Sequence, residues 1–315
     1  MVRLEDSRII ERGRLGPGQM LAVDLQEGRL YHDREIKQVL ASKQPYQDWT
    51  KRIKVIDGLI RAGGEDTGSA MPREELRRRQ VAMNITMEDL ELILHPMVED
   101  AKEAVGSMGD DAPIAILSDL NRPLHHFFRQ NFSQVTNPPI DSLRERRVMS
   151  LRTRLGNLGN ILDEDASQCD LLQLDSPVLT NAEYEAMRAY MGATAAEIDC
   201  TFELPGGDPR APGENGGEHA LRDALRRICR EAEDAVRGGA THIVLTDQHV
   251  GPDRVAIQMI LATGAVHTHL IRQSLRTFTS LNVRSMECVD VHHFAVLIGV
   301  GATTVNAYLA QEAIA

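Results

Sequence analysis

Six apolar side chains, Leu221, Ala224, Leu225, Ile228, Ala232 and Ala235, recur at helical spacing and stop at Gly238-Gly239. The run Thr241-His-Ile-Val-Leu-Thr-Asp247 follows at once. The stripe buries one side of a helix, and the paired glycines end it. A strand entered this way, apolar on successive residues, is covered on both faces, as in a parallel sheet between helices. The same alternation runs through most of the chain. Thr86–Asp89 reads as a capping box ahead of Leu90, Ile93 and Leu94, and Ile114–Leu117 as a buried strand. Ser142–Glu145 reads as a second box with Ser142 as cap, and Thr180–Glu183 as a third, opening a helix through Met191. Strands are expected at Ile198–Phe202, Thr279–Val283 and Thr303–Val305. Helices are expected around Val255–Leu261, Val266–Leu275 and Val291–Ile298, with a last one at the end of the chain. The fold class is therefore α/β with mostly parallel strands. Ligands of such sheets meet the loops at the carboxyl ends of strands, here those after Leu117, Phe202, Leu245, Val283 and Val305.

Two segments stand apart. Near the start, Met20–Val23 and Arg29–Tyr31 read as a hairpin around Asp24–Gly28, with too few partners to bury itself. A boundary is expected at Gly63–Pro72, where a net basic N-terminal part gives way to a net acidic remainder. Residues 205–217 read as a long flexible surface insertion.

Charge and composition narrow the function. A net charge of −11 argues against nucleic acid or an anionic membrane as partner. No apolar run is long enough for a membrane helix, and the first residues lack a secretory h-region, so a cytoplasmic location is expected. Cys169, Cys200, Cys229 and Cys288 are far apart and form no CxxC pair, so they read as reduced thiols in or near the core.

The densest polar stretch is Phe127–Asp141, where Pro138-Pro139 fix two φ angles and hold Asn137 extended. It reads either as a rigid turn presenting the next helix or as a wall that holds groups in place. Arg144, Arg146, Arg147, Arg152 and Arg154 read as a salt-bridged helix face rather than an anion site. His125-His126, His267/His269 and His292-His293 lack the spacing of a helical metal pair, so no metal site is expected. Gly299–Ala302 is a tight turn with only a weak phosphate-loop signal. No catalytic arrangement is found by spacing.

The residues also carry a resemblance. Gly13–Met20, with Asp24, Gly28, Asp33 and Ile36-Lys37, is similar to the C-terminal end of the glutamine amidotransferase domain of glutamate synthases. Phe128–Asp141 resembles the most distinctive motif of that family's central domain. Leu90–Met97, Gly106–Asp111, Gly156–Asn160, His292–Ala295, Gly299–Ala302 and Val305–Leu309 agree with it in order. The chain thus resembles a central segment of the large (alpha) subunit of the bacterial NADPH-dependent type.

The resemblance implies a degenerate (β/α) barrel-like domain, preceded by a short β tail from a neighbouring domain. It places the amidotransferase tail at residues 1–40, a linker at 41–80 and a C-terminally truncated central domain at 81–315, with the FMN domain expected beyond Ala315. The implied role is non-catalytic: to connect the glutaminase and FMN synthase domains and help wall an ammonia tunnel. The whole enzyme makes glutamate from glutamine and 2-oxoglutarate. Tunnel-lining candidates are Thr136, Asn137, Pro138, Pro139 and Ile140. No catalytic, cofactor or metal residue is expected here; FMN and a 3Fe-4S cluster are implied for the parent subunit. The implied partners are the amidotransferase and FMN-binding domains of the same subunit and a small NADPH-oxidising subunit. Two alternatives remain open: an autonomous flavin-binding barrel enzyme, and a subunit-assembly module using the basic stretch Arg144–Arg154.

Overall fold

The computed structural model describes residues 5–57, 59, 71–104, 108–109, 112–113, 115–118, 122–132, 135, 138–204 and 216–314. The chain divides into two units, Met1–Arg52 and Ile53–Ala315. Of the expected loop at 63–72 only Met71 and Pro72 are described. Of 205–217 only the last two residues are, and they already open a helix.

In the first unit β1 (Ala22–Asp24) and β2 (Arg29–Tyr31) pair antiparallel, as the sequence predicts. Asp24 Oδ1 accepts the amides of Gln26 and Glu27 at 2.8 and 3.0 Å, and Gly28 takes a φ of +64° to close the turn. Helix α1 (Asp33–Ser42) follows, with Glu35 reaching back to the His32 amide at 3.1 Å. No described residue of this unit is buried, which is what a hairpin and one helix allow.

The second unit holds β3 (Lys54–Val55), α2 (Arg73–Ala82), α3 (Ser142–Val148), β4 (Thr153–Leu155), β5 (Leu172–Leu174), β6 (Val178–Leu179), α4 (Asn181–Met191), β7 (Ala195–Asp199) and β8 (Thr201–Glu203). It continues with α5 (Gly216–Arg237), β9 (His242–Thr246), β10 (Arg254–Ala256), α6 (Met259–Arg272), β11 (Ser280–Arg284), α7 (Val291–Gly299), β12 (Thr304–Asn306) and α8 (Tyr308–Ile314). Five strands form one parallel sheet in the order β6-β12-β11-β9-β7. The fold is α/β and consistent with a degenerate barrel. Strands β3, β5 and β4 form a second sheet, and β8 pairs antiparallel with β10.

The sheet is built on alternation. Ile243 and Leu245 of β9, and Leu281 and Val283 of β11, share one core with Ala224, Ile228 and Ala232 of α5 and Val266 and Leu270 of α6. That is the face the amphipathic helices cover. The residues between them point the other way, and many are polar. Asn282 donates to the Ile243 carbonyl at 3.1 Å and accepts from the Thr304 hydroxyl at 2.8 Å. His242 Nδ1 lies 2.7 Å from Ser280 Oγ. These polar side chains are thus paired on the sheet itself.

Several sequence expectations are corrected. Ile114–Leu117 is not a strand among the described residues: the Ser118 amide bonds the Ala115 carbonyl in a turn, and Ile116 and Leu117 are exposed. Ile198–Phe202 is two strands. Asp199 Oδ1 takes the Thr201 amide at 2.8 Å and breaks the run, so Cys200 passes the chain from the parallel sheet to the β8–β10 pair. Val255–Leu261 is not a helix: Arg254–Ala256 is β10, and α6 then runs unbroken from Met259 to Arg272. Gly264 does not interrupt α6 but lies close to Val300. The cap of α3 is Asp141, whose carboxylate accepts the Leu143 and Arg144 amides, and not Ser142. The Thr86–Asp89 box is present, but the turn after it, Asp89–Leu94, is a π-helix. The Thr180–Glu183 box opens α4 as expected.

Candidate functional site

Buried Asp247, Glu287 and the arginines Arg79 and Arg284 lie at the carboxyl ends of the parallel strands, at three of the loops the sequence marked. Asp247, just beyond β9, is fully buried and accepts the Met286 amide at 2.8 Å. Burial pushes its carboxyl up to about 7. Arg79 of α2 reaches this edge and donates to the Gln248 carbonyl at 3.0 Å and the Tyr308 hydroxyl at 3.3 Å. The Arg284 guanidinium lies 4.5 Å from the ring centroid of Tyr184 and 5.1 Å from that of Tyr308.

Glu287 stands beside this group. Its Oε1 accepts the Met259 amide at 2.6 Å, and burial, then the nearby Asp247, push its carboxyl up to about 8. Two histidine pairs far apart in sequence meet here. The His125 and His293 rings stack with centroids 4.2 Å apart and planes at 19°. His292 Nε2 donates to the His125 carbonyl at 2.9 Å. His293 Nε2 lies 3.9 Å from Glu287 Oε2. Burial holds His125 down to about 4 and His293 well below the usual imidazole range, so both rings are neutral at pH 7. Spacing along the chain could not reveal this cluster, because it joins a short 3-10 turn at Leu124–Phe127 to α7. Among the described residues no group of three or more His, Cys, Asp or Glu is arranged to hold a metal ion.

None of the described tunnel candidates is part of this cluster. Thr136 and Asn137 lie outside the described residues. Pro138, Pro139 and Ile140 lead into α3 with exposed side chains, and the Ile140 amide bonds the Pro138 carbonyl at 2.7 Å. The chain around them is unusually apolar for a surface. Ile116, Leu117, Phe132, Val135, Leu143, Val148, Ile161 and Leu162 are all more than half exposed. The basic stretch is not one helix face: Arg144, Arg146 and Arg147 are on α3, whereas Arg154 is on β4 and bonds Gln173 of β5 at 3.2 Å. Arg144 pairs with Asp141 at 3.3 Å, and Arg152 with Asp175 at 3.5 Å.

The turn after α7 forms no phosphate cradle: its Val300, Gly301 and Ala302 amides are taken by the Val296, Ile298 and Leu297 carbonyls. The turn after α7 is packed against protein, with the Gly301 carbonyl taken by Arg276 at 3.0 Å. Cys200 and Cys288 are buried, with thiols pushed far up by burial, whereas Cys169 and Cys229 are half-buried. Among the described residues no helix is long and apolar enough to cross a membrane.

Residues 78–315 match the family described as glutamate synthase central domain, and residues 1–49 match the class-II glutamine amidotransferases. The whole chain is 67% identical to the large chain of glutamate synthase [NADPH] from Azospirillum brasilense, of which it covers 20%. It is 39% identical, over 99% of its length, to glutamate synthase [NADH] of Schizosaccharomyces pombe, covering 15% of that protein. It is 38% identical, over 98% of its length, to the chloroplastic ferredoxin-dependent glutamate synthase of Spinacia oleracea, covering 18%. The chain therefore spans a fifth or less of these curated relatives.

Proposed function

We propose a role for this chain from the premise that it belongs to the glutamate synthase family, of which residues 78–315 are the central domain. The domain connects a glutaminase domain to an FMN synthase domain within one large subunit. It helps wall the passage that carries ammonia between them. The whole enzyme forms glutamate from glutamine and 2-oxoglutarate, with FMN and a 3Fe-4S cluster held outside residues 1–315 and reducing equivalents delivered by a small NADPH-oxidising subunit.

The observation that carries this reading is the row of exposed apolar side chains from Ile116 to Leu162, in a unit whose remaining core is closed. Apolar surface on that scale marks contact with more protein. In sequence it flanks the Pro138-Pro139 segment on both sides, and a passage for a small neutral molecule needs stiff walls of low charge, since charged ammonium is costly to desolvate.

The test is a bulky substitution, Thr136→Trp, in the complete enzyme, with glutamine hydrolysis and glutamate formation measured on one preparation. Hydrolysis that continues while glutamate formation falls about tenfold or more, with free ammonia appearing, supports the tunnel role. Equal losses of both activities, or no loss, count against it.

A further inference from the structure

Three buried histidines meet where the 3-10 turn at Leu124–Phe127 docks on α7. Three contacts hold the turn. Leu124 packs against the same core as Leu94 of the π-helical turn. The His125 carbonyl accepts from His292 Nε2 at 2.9 Å. The His125 ring lies nearly flat on that of His293, centroids 4.2 Å apart and planes at 19°. The His126 ring stands edge-on to His125 at 4.4 Å, and the His292 ring is 6.2 Å away.

Imidazoles this close and this buried can share one place only while they carry little charge. Two imidazolium rings stacked face to face repel each other, and water is not there to screen them. Counter-charge is short as well. His125 Nδ1 and His292 Nδ1 are buried without a hydrogen-bond partner. The His293 side chain is 1% exposed, and its Nε2 lies 3.9 Å from Glu287 Oε2. Burial keeps the carboxyls of Glu287 and of Asp247 behind it protonated in mild acid, so neither answers a charge on His293 there. Their bonds go to the Met259 and Met286 amides and not to the turn, so they outlast its release. The Cys288 thiol keeps its proton throughout. Asp290 and Asp89 attract a charge on His125, but burial and the neighbouring rings outweigh them. Arg254 lines the same cavity as the turn and is bound to Asp199 at 2.8 Å.

We propose that the His125–His293 stack is a pH-sensitive latch: mild acid releases residues 124–127 from α7, and neutral pH docks them again. Release leaves both rings in water, where an imidazole takes up a proton near pH 6.5. Each ring then accepts a proton that the stack refuses. With a docked value of about 4, His125 alone favours release about 30-fold more at pH 5 than at alkaline pH. The latch is independent of the connecting role.

The test is hydrogen exchange read by mass spectrometry on the complete polypeptide, from about pH 7.5 to about pH 5, with rates corrected for intrinsic exchange. The His126 and Phe128 amides, bonded to the Pro123 and His125 carbonyls, report the turn, and the amides of β9 report global opening. Protection of the turn is expected to fall ~10-fold or more across this range while β9 keeps its own. The double variant His125→Phe/His293→Phe keeps two stacked rings that take up no proton, and should hold the change below about threefold. If it fails to fold, either single variant should weaken the response about threefold or more. Protection of the turn that is level with pH, a loss shared equally by β9, or a full response retained in a folded variant would overturn the proposal.

Discussion

The carboxylate of Asp247 accepts the backbone amide of Met286 at 2.8 Å and so ties the end of β9 to the end of β11 inside the core. This bond is made by a group that pays for its burial with a carboxyl raised to about 7, and Glu287 beside it is raised to about 8. Folded values above the unfolded ones mean that the native state holds more protons. The stability these groups contribute is present at low pH and lost as pH rises through the folded values. His125 and His242, both held down to about 4 by burial, act in the opposite sense and lose their contribution as pH falls from 6.5 toward 4. Above about pH 6.5 the histidines no longer contribute to the slope and the two carboxyls set it, joined near pH 8.5 by the buried Cys200 and Cys288 thiols, which act in the same sense. The melting temperature is expected to fall between about pH 6.5 and 8.5, each group adding a slope of at most about 1.4 kcal/mol per pH unit. Asp247→Asn should flatten that fall in a series of thermal melts. A wild-type curve that is level or rising over this range would refute the assignment.

Gly301→Ala is expected to destabilise the second unit by about 3 kcal/mol or more. Its φ is +120°, and a Cβ there would lie 2.3 Å from the His267 ring. Adding His267→Ala should recover only part of the loss, because it removes the clash and leaves the backbone strain. Full recovery in chemical denaturation would show that the steric contact alone matters.

The two candidate caps of α3 can be separated. Asp141→Ala removes the acceptor for the Leu143 and Arg144 amides and should cost the helix about 1 kcal/mol. Ser142→Ala should cost close to nothing. Amide exchange over residues 143–148 reads the difference, and the reverse ranking would reinstate Ser142 as cap.

Cys200 and Cys288 should resist an aromatic disulfide reagent in the native protein at about pH 8, since burial leaves their thiols protonated and shielded. Half-buried Cys169 and Cys229 should react first. Peptide mapping after brief labelling decides, and early modification of Cys288 would contradict the buried placement.

The strongest helices and central strands could be read from the sequence because their signals are local. Ala224, Ile228 and Ala232 repeat at helical spacing, and β9 is apolar on successive residues. Misreadings arose where a local signal had no tertiary partner or had an unforeseen one. Ile116 and Leu117 are as apolar as a core strand yet exposed, and no spacing rule distinguishes an apolar run left on the surface from one in the core. The candidate cluster was largely invisible in the sequence. Glu287 and Asp290 belong to one predicted loop, but His125 joins them only because the 3-10 turn docks on α7.

The order of strands in the parallel sheet has a consequence for synthesis. Strand β12 lies between β6 and β11, so β6 acquires its neighbour only when a segment more than a hundred residues later arrives. A ribosome adding roughly 5–20 residues per second leaves that edge uncovered for several seconds. During that interval the nascent polypeptide presents an unpaired strand together with the apolar row from Ile116 to Leu162, and chaperone engagement is expected to peak just before residues 304–306 clear the exit tunnel.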